Sequence, residues 1–158
     1  MATNAETAYE SFKAAEGQTE GTGEWFEVTQ ERVNEFADVT LDHQFIHIDP
    51  EAAKGTPFGG TIAHGFLTLS MLTHLTASIP QDMSRFAGIL MGVNYGFEKV
   101  RFVAPVPTGS RIRATSVLSN VELKDPNTIN VTKTITVEIE GSSKPALVAD
   151  WITRLVYG

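Results

Sequence analysis

The chain contains no cysteine among its 158 residues, which excludes a disulfide framework, a catalytic thiolate and any metal or iron–sulfur site with cysteine ligands. It also lacks a long uninterrupted apolar run. The most apolar stretch, residues 62–79, is broken repeatedly by histidine, threonine and serine, so it predicts a buried helix and not a membrane span. The hydrophobic content of 42% is too high for a disordered chain, and the length predicts one domain over residues 1–158.

A basic stripe is also absent, so we expect no nucleic-acid partner. The net charge of −7 is unevenly distributed: residues 1–60 contain 12 acidic and 3 basic side chains, whereas residues 61–158 contain 7 and 9. The slight excess of bases in the second part is compatible with a small phosphorylated ligand as well as with ordinary surface charge. Residues 1–16 have neither a secretory apolar core nor the arginines of a transit peptide, so we expect a cytoplasmic protein without a membrane partner.

The first part of the chain predicts helices. Residues 7–15 predict a short helix, which makes residues 1–20 an N-terminal helical extension. Aromatic and β-branched residues at 25–28 predict a first strand. Thr29 is a suitable N-cap for a second helix, whose apolar positions follow at helical spacing.

A long ordered loop is predicted from residue 41 to residue 60, with one helical turn at Pro50. Residues 63–78 predict a helix that is apolar or small on nearly all sides and therefore buried, and Pro80 ends it. Everything after residue 86 predicts strands joined by tight turns. The predicted strands are residues 89–102, 111–121, 128–140 and 146–157.

These elements predict an α+β fold in which an antiparallel sheet is wrapped around one long central helix. In residues 128–140 the apolar side chains alternate on one face, and Lys133 alone interrupts that face. Such a sheet has exposed edges, and pairing two copies edge to edge would remove them.

Residues 40–50 alternate ionisable and large apolar side chains. In non-helical backbone, Asp42 and His47 can converge on one water molecule, with the carboxylate accepting a proton and the imidazole passing one near neutral pH. A hydrogen bond between the two side chains that only braces the loop would produce the same pattern. The sequence thus predicts a proton-transfer pair or a structural pair at this place.

A glycine-rich segment, residues 59–66, leads directly into the predicted central helix. Free N–H groups at the start of a helix favour a developing oxyanion, although glycines that only end a loop remain the alternative. The G-x-G-x-x-G pattern of dinucleotide-binding proteins is absent.

Four histidines raise the question of a metal site, whose candidate ligands are His43, His47, Asp49 and His64. No H-E-x-x-H pattern on a helix is present. Ser70 lies in no G-x-S-x-G elbow, which argues against a serine hydrolase. We therefore expect no metal ion and no cofactor.

Three segments, in the same order, resemble the MaoC-like dehydratases, which include the (R)-specific enoyl-CoA hydratases, or hydratases 2. The matching residues are Phe36-x-x-Val39-Thr40-x-Asp42-x-x-x-Ile46-His47 with Ala53, then Ile62-Ala63-His64-Gly65-Phe66-Leu67-Thr68, then Arg101-Phe102-x-x-Pro105-Val106-x-x-Gly109. Leu41, Gln44 and Phe45 stand where the family usually has Gly, Asn and Pro. His-Gln-aromatic at this place is closer to the NodN-like branch of the superfamily. The resemblance implies the hot-dog fold.

The same resemblance implies a hydration site made of Asp42, His47 and Gly65. The first two residues would hold a water molecule and handle its protons, and the Gly65 N–H would polarise the thioester carbonyl. The further substrate-binding candidates are His64, Gln44, Phe45, Phe66, Lys99 and Arg101. Since phosphate recognition favours arginine, the candidates for the CoA phosphates are Lys99, Arg101, Arg111 and Arg113.

The implied reaction is the reversible syn addition of water to a trans-2-enoyl-CoA, which gives the (R)-3-hydroxyacyl-CoA in fatty acid metabolism. Such a lyase works on CoA or acyl-carrier-protein thioesters, and single hot-dog chains form homodimers. Two alternatives are a hot-dog acyl-CoA thioesterase and a non-catalytic acyl-thioester-binding protein. Many such thioesterases carry a catalytic carboxylate on the central helix, and residues 62–79 contain none, which favours the enoyl-CoA hydratase.

Overall fold

A computed structural model describes residues 1–158, and its largest element is one antiparallel sheet. The strands are β1 (Thr19–Thr22), β2 (Phe26–Glu27), β3 (Ile89–Phe102), β4 (Arg111–Asp125), β5 (Thr128–Ile139) and β6 (Leu147–Tyr157). The order across the sheet is β1-β4-β5-β6-β3, and β2 also pairs with β4. Of the predicted strand positions, β3 is as expected, whereas β4 continues four residues beyond the predicted end at residue 121.

Six α-helices accompany the sheet. They are α1 (Asn4–Ala14), α2 (Gln30–Thr40), α3 (Phe45–Ile48), α4 (Pro50–Ala53), α5 (Gly65–Ser70) and α6 (Leu72–Thr76), and a 3-10 turn spans Met83–Phe86. The N-cap prediction at Thr29 is confirmed, since its side chain accepts a hydrogen bond from the Arg32 N–H. None of these helices has both the length and the apolar character needed to cross a membrane.

One face of the sheet packs on α5 and α6, which confirms the predicted α+β hot-dog architecture. Leu67, Leu72 and Leu75 of these helices are buried in a single cluster with side chains of β4, β5 and β6. On β5 the buried apolar residues are Ile129, Val131, Ile135, Val137 and Ile139. Their spacing of two places them on one face, where Ile135, Val137 and Ile139 meet α5 and α6 while Ile129 and Val131 pack in a second cluster with α1.

The predicted continuous helix over residues 63–78 is wrong in two respects. At Met71 the chain leaves regular α geometry, with φ −79° and ψ −5°, so α5 and α6 are two short helices. The predicted burial on nearly all sides is also not observed, because the sheet covers one side only. Phe66 is 67% exposed, and Thr73 and His74 are exposed as well.

The N-terminal segment is an integral part of the fold. Helix α1 buries Ala8 and Phe12 against Leu118 and Tyr157, in a second core cluster beside the first. Strand β1, which the sequence did not predict, begins at Thr19, within the residues assigned to the helical extension, and continues beyond them. After it the backbone passes so close to α6 that a Cβ on Gly23 would lie 2.2 Å from the Leu75 carbonyl oxygen. Only glycine fits at that crossing.

Candidate active site

The loop that carries the candidate carboxylate begins where α2 ends. Leu41 adopts the left-handed conformation, with φ 64° and ψ 22°, and turns the chain away from the helix. Asp42 follows with its side chain half exposed, and the Gln44 N–H points to its Oδ1 at 3.4 Å. The Asp42 carboxylate therefore has few restraints of its own.

The next residues correct the prediction of a non-helical segment. His47 lies on the single helical turn α3, which is too short to give a recognisable periodicity in the sequence. Asp49, a candidate metal ligand, caps α4 by accepting a hydrogen bond from the Ala52 N–H at 3.0 Å. His43, another candidate, pairs with Asp38 at 2.8 Å. Neither side chain is available to a shared metal site.

His47 is buried, and one carbonyl group fixes its tautomer. Nδ1 lies 2.7 Å from the Ile62 carbonyl oxygen, which can only accept, so the ring carries its hydrogen on Nδ1. Nε2 is left with a lone pair. Burial lowers the pKa of the His47 imidazole below its ordinary value of 6.5, and this effect outweighs the hydrogen bond to Ile62, which raises the pKa. A neutral imidazole with a free lone pair is suited to accept a proton.

His64 completes a cluster with Asp42 and His47. The two rings stack at a centroid distance of 3.8 Å, and His64 Nε2 lies 3.0 Å from the Asp42 carbonyl oxygen and 4.0 Å from its carboxylate. The cluster holds one nitrogen or oxygen atom of each side chain within 4.8 Å of the others. The predicted pair of Asp42 and His47 is therefore brought together in space.

A metal ion does not fit this cluster well. The lone pairs of an imidazole lie in the plane of its ring, and the His47 and His64 rings are nearly parallel, at 24°. Two lone pairs in stacked planes do not converge on one ion at the usual metal–nitrogen distance of about 2.1 Å. His64 Nε2 and His47 Nδ1 are in addition donors to carbonyl oxygens.

Gly65 opens α5 beside this cluster. As the first residue of the helix its N–H has no partner within the helix. A Cβ at this position would lie 2.9 Å from the Phe102 ring, so any side chain would displace that ring. The close approach of the Phe102 ring thus favours glycine here, and the Gly65 N–H stays unobstructed by a side chain.

A cavity of about 360 Å³ joins His47 to Gly65. Its walls are mainly apolar, and the lining residues are His47, Phe58, Ile62, Ala63, Gly65, Phe66, Thr68, Phe102, Ala104, Pro105, Val106 and Ala146. A mainly apolar cavity with a few polar groups is typical of small-molecule sites. Phe58, Phe102 and Ala146 were not predicted as site residues. Phe102 belongs to the recognised motif that begins at Arg101, whereas the sequence offered no signal for Phe58 or Ala146.

The remaining substrate-binding candidates near the loop do not all line the cavity. Phe66 lines the cavity, whereas Gln44 and Phe45 are exposed on the loop and do not line it. His64 is 3% exposed, so its side chain contacts protein on nearly all sides. Its predicted role in contacting substrate is not supported by this placement.

The four basic candidates for the CoA phosphates fall into two groups. Lys99 and Arg101 are exposed on β3, close in sequence to the cavity residue Phe102. Arg111 and Arg113 form cross-strand ion pairs with glutamates of the neighbouring segment, Glu140 and Glu138. The charges of the second pair of arginines are thus already compensated, which leaves Lys99 and Arg101 as candidates.

Comparison with known proteins finds relatives that match most of the chain. A family model described as MaoC like domain matches residues 11–140. The 3-hydroxyacyl-thioester dehydratase Z of Mycobacterium tuberculosis is 52% identical over 143 residues, covering 90% of this chain and 92% of that protein. Nodulation protein N of Rhizobium meliloti is 50% identical over 137 residues, covering 86% and 83%.

Solved structures show the same fold. The (R)-hydratase from A. caviae involved in PHA biosynthesis superposes with a TM-score of 0.68 at 22% identity, over 87% of this chain and 93% of that one. The monoamine oxidase regulatory protein from Archaeoglobus fulgius gives 0.70 at 27% identity, over 89% of both chains. With the family model matching most of its length and relatives at half identity, the chain belongs to the MaoC-like dehydratase family.

Proposed function

We propose that this protein catalyses the reversible hydration of a trans-2-enoyl thioester to the (R)-3-hydroxyacyl thioester. The observation that carries the proposal is that His47, which lies in one cluster with Asp42, also lines an apolar cavity together with Gly65. These supply a base, a proton donor and a carbonyl-binding group, which are the three parts that the reaction needs. The dehydratase name of the 52% identical relative supports the same reaction.

In the hydration direction the oxygen of a water molecule bonds to C3 of the enoyl group. One water proton passes to the pair formed by Asp42 and His47, and this pair returns a proton to C2, so H and OH are added across the double bond. Between these steps negative charge develops on the thioester oxygen, where the Gly65 N–H would donate a hydrogen bond. The lone pair on His47 Nε2 and its lowered pKa support a role in receiving the water proton.

The substrate that fits this cavity is an acyl thioester with its apolar chain against Phe58, Phe66 and Phe102. The carrier, either CoA or acyl-carrier protein, would meet Lys99 and Arg101 on the exposed strand nearby. We propose further that two copies pair through β3 to form a homodimer, and we keep the cytoplasmic location as a prediction.

A single set of assays separates the three functions considered. The enzyme is mixed with trans-2-butenoyl-CoA and longer enoyl-CoA esters, and we measure loss of the enoyl absorbance, release of free thiol and product chirality. Hydration predicts loss of absorbance without thiol release and an (R) product. Thiol release would identify a thioesterase instead. Tight binding without either change would identify a non-catalytic binding protein.

A further inference from the structure

His64 is a buried polar side chain at the site to which the hydration mechanism gives no task. It is 3% exposed, and its Nε2 lies 3.0 Å from the Asp42 carbonyl oxygen. Its Nδ1 is buried and has no hydrogen-bond partner. A hydrogen on Nδ1 would therefore lack an acceptor and leave the Asp42 oxygen without this donor. The geometry selects the tautomer with the hydrogen on Nε2.

The two stacked rings are therefore in opposite tautomers. His47 donates from Nδ1 to Ile62 and keeps a lone pair on Nε2, while His64 donates from Nε2 to Asp42. Phe36 packs on the His64 ring at a centroid distance of 5.0 Å, so the ring is held by Phe36 and His47. One imidazole is free for proton transfer, and the other is fixed in place.

The residue that His64 holds needs such an anchor. Asp42 follows Leu41, a non-glycine residue in the left-handed region, where local sterics oppose the observed turn. The Asp42 carboxylate is half exposed, and its contact with the Gln44 N–H is long, at 3.4 Å. The hydrogen bond from His64 to the Asp42 main chain is the short contact that fixes this loop to α5.

We propose that His64 is a positioning residue that sets the distance between the proton-transfer pair and the carbonyl-binding N–H. Its side chain holds Asp42 and packs on His47, and its own carbonyl carbon is bonded to the nitrogen of Gly65. One residue thereby fixes all three parts of the site without touching the substrate. This inference rests on the proposed hydration reaction.

Two substitutions separate the two contacts of His64. His64→Phe keeps a ring between Phe36 and His47 but removes the donor to Asp42. His64→Gln keeps an N–H donor at similar reach but removes the stacked ring. Because displacement of a catalytic group by about 1 Å can cost about 10²-fold in rate, we expect His64→Phe to lower kcat by about that factor with KM changed less than about threefold. His64→Gln should retain more of kcat than His64→Phe.

The control is His43→Gln, since His43 is exposed and pairs with Asp38 away from the cavity. This variant should keep wild-type kcat and KM. Wild-type kcat in His64→Phe would overturn the proposal. A fall in kcat that is equal in both His64 variants would also overturn it, because the donor to Asp42 would then have no separate effect.

A second measurement needs neither a variant nor a substrate. In the wild-type protein the ring 15N chemical shifts should show the hydrogen on Nε2 in His64 and on Nδ1 in His47. A hydrogen on Nδ1 of His64 would refute the positioning role directly. If the wild-type enzyme hydrates no enoyl thioester, the proposed function fails, and the spectrum still decides whether His64 holds Asp42.

Discussion

His47 and His64 are adjacent, stacked and buried, and yet their environments assign them different tasks. Two carbonyl oxygens are responsible, that of Ile62 and that of Asp42, because each can only accept and each selects one tautomer. The free lone pair of His47 and the Asp42 carboxylate are then the two groups that, in the proposed reaction, would share one water molecule. The alternative that the pair only braces the loop is best tested by substitution.

We predict strongly non-additive effects when both members of the pair are changed. Asp42→Asn keeps the shape but removes the base, and His47→Ala removes the proton carrier. Each should lower kcat by about 10²–10⁴-fold with little change in KM, and the double variant should be scarcely worse, because the residues act as one unit. Steady-state kinetics of the four proteins measure this directly.

Asp49→Asn is the matched control in the same loop. Asp49 caps α4, and asparagine is an equally good N-cap, so activity and melting temperature should stay unchanged. If Asp42→Asn were as active as the wild type at the same melting temperature, the catalytic assignment of Asp42 would be wrong. Lost stability with full activity in the folded fraction would support a bracing role instead.

The residues of this pair, and His64 as a site residue, could be predicted from the sequence, while the contact of His64 with Asp42 could not. Asp42, His47 and Gly65 stand in recognisable motifs. The hydrogen bond from His64 to Asp42 joins positions 22 apart, and its partner is a main-chain oxygen that every residue type provides. For the same reason the close approach of Phe102 to Gly65 follows from the folded backbone and from no local pattern.

At the scale of elements, β5 presents one charged side chain on its helix-facing side. Lys133 Nζ lies 3.0 Å from Glu20 of β1 and 3.3 Å from the Gln81 side chain. Glu20 is 8% exposed and also accepts a hydrogen bond from Ser116 at 2.7 Å. The interruption of the apolar pattern in residues 128–140 is thus explained by a partner on a strand that the sequence did not predict.

We predict that Glu20→Gln destabilises the protein by about 1–3 kcal/mol, because it leaves the ammonium group of Lys133 without its counter-charge in a largely buried place. The double variant Glu20→Gln with Lys133→Met should recover most of that loss. Urea unfolding followed by circular dichroism measures the stability of both variants.

Glu51→Gln is the control. Glu51 pairs with Lys54 on the surface, so the substitution should cost at most about 0.5 kcal/mol. Equal losses from both glutamates would contradict the role assigned to burial.

The central helix shows what a pattern of apolar residues cannot specify. The apolar and small residues over 63–78 correctly predicted helical structure next to the sheet. They did not reveal the break at Met71, whose N–H is shared between the Leu67 and Thr68 carbonyl oxygens. They also could not distinguish side chains that meet the sheet from side chains such as Phe66 that remain exposed.

At the scale of the whole molecule, one edge of the sheet carries several exposed large apolar side chains. Strand β3 pairs only with β6, so its other side is unpaired along 14 residues. Its large apolar residues Leu90, Met91, Val93 and Tyr95 are each at least 45% exposed. Long apolar edge strands are unusual in monomers because they invite pairing with another chain. The exposed face of α5 lies on the same side, next to Phe102 at the end of β3.

We predict that the wild-type protein has twice the mass of the 17.2 kDa chain when measured by light scattering at micromolar concentration. The double variant Met91→Lys with Val93→Lys should have the mass of one chain, because like charges would face each other across the paired edges. Activity should fall with the dimer, since β3 ends at the cavity residue Phe102 and a partner strand would hold that end in place.

Leu123→Lys is the control: Leu123 is 40% exposed on β4, away from this edge, and its variant should stay dimeric and active. A wild-type mass of 17.2 kDa would contradict the dimer, and a fully active monomeric variant would show that the site is complete within one chain.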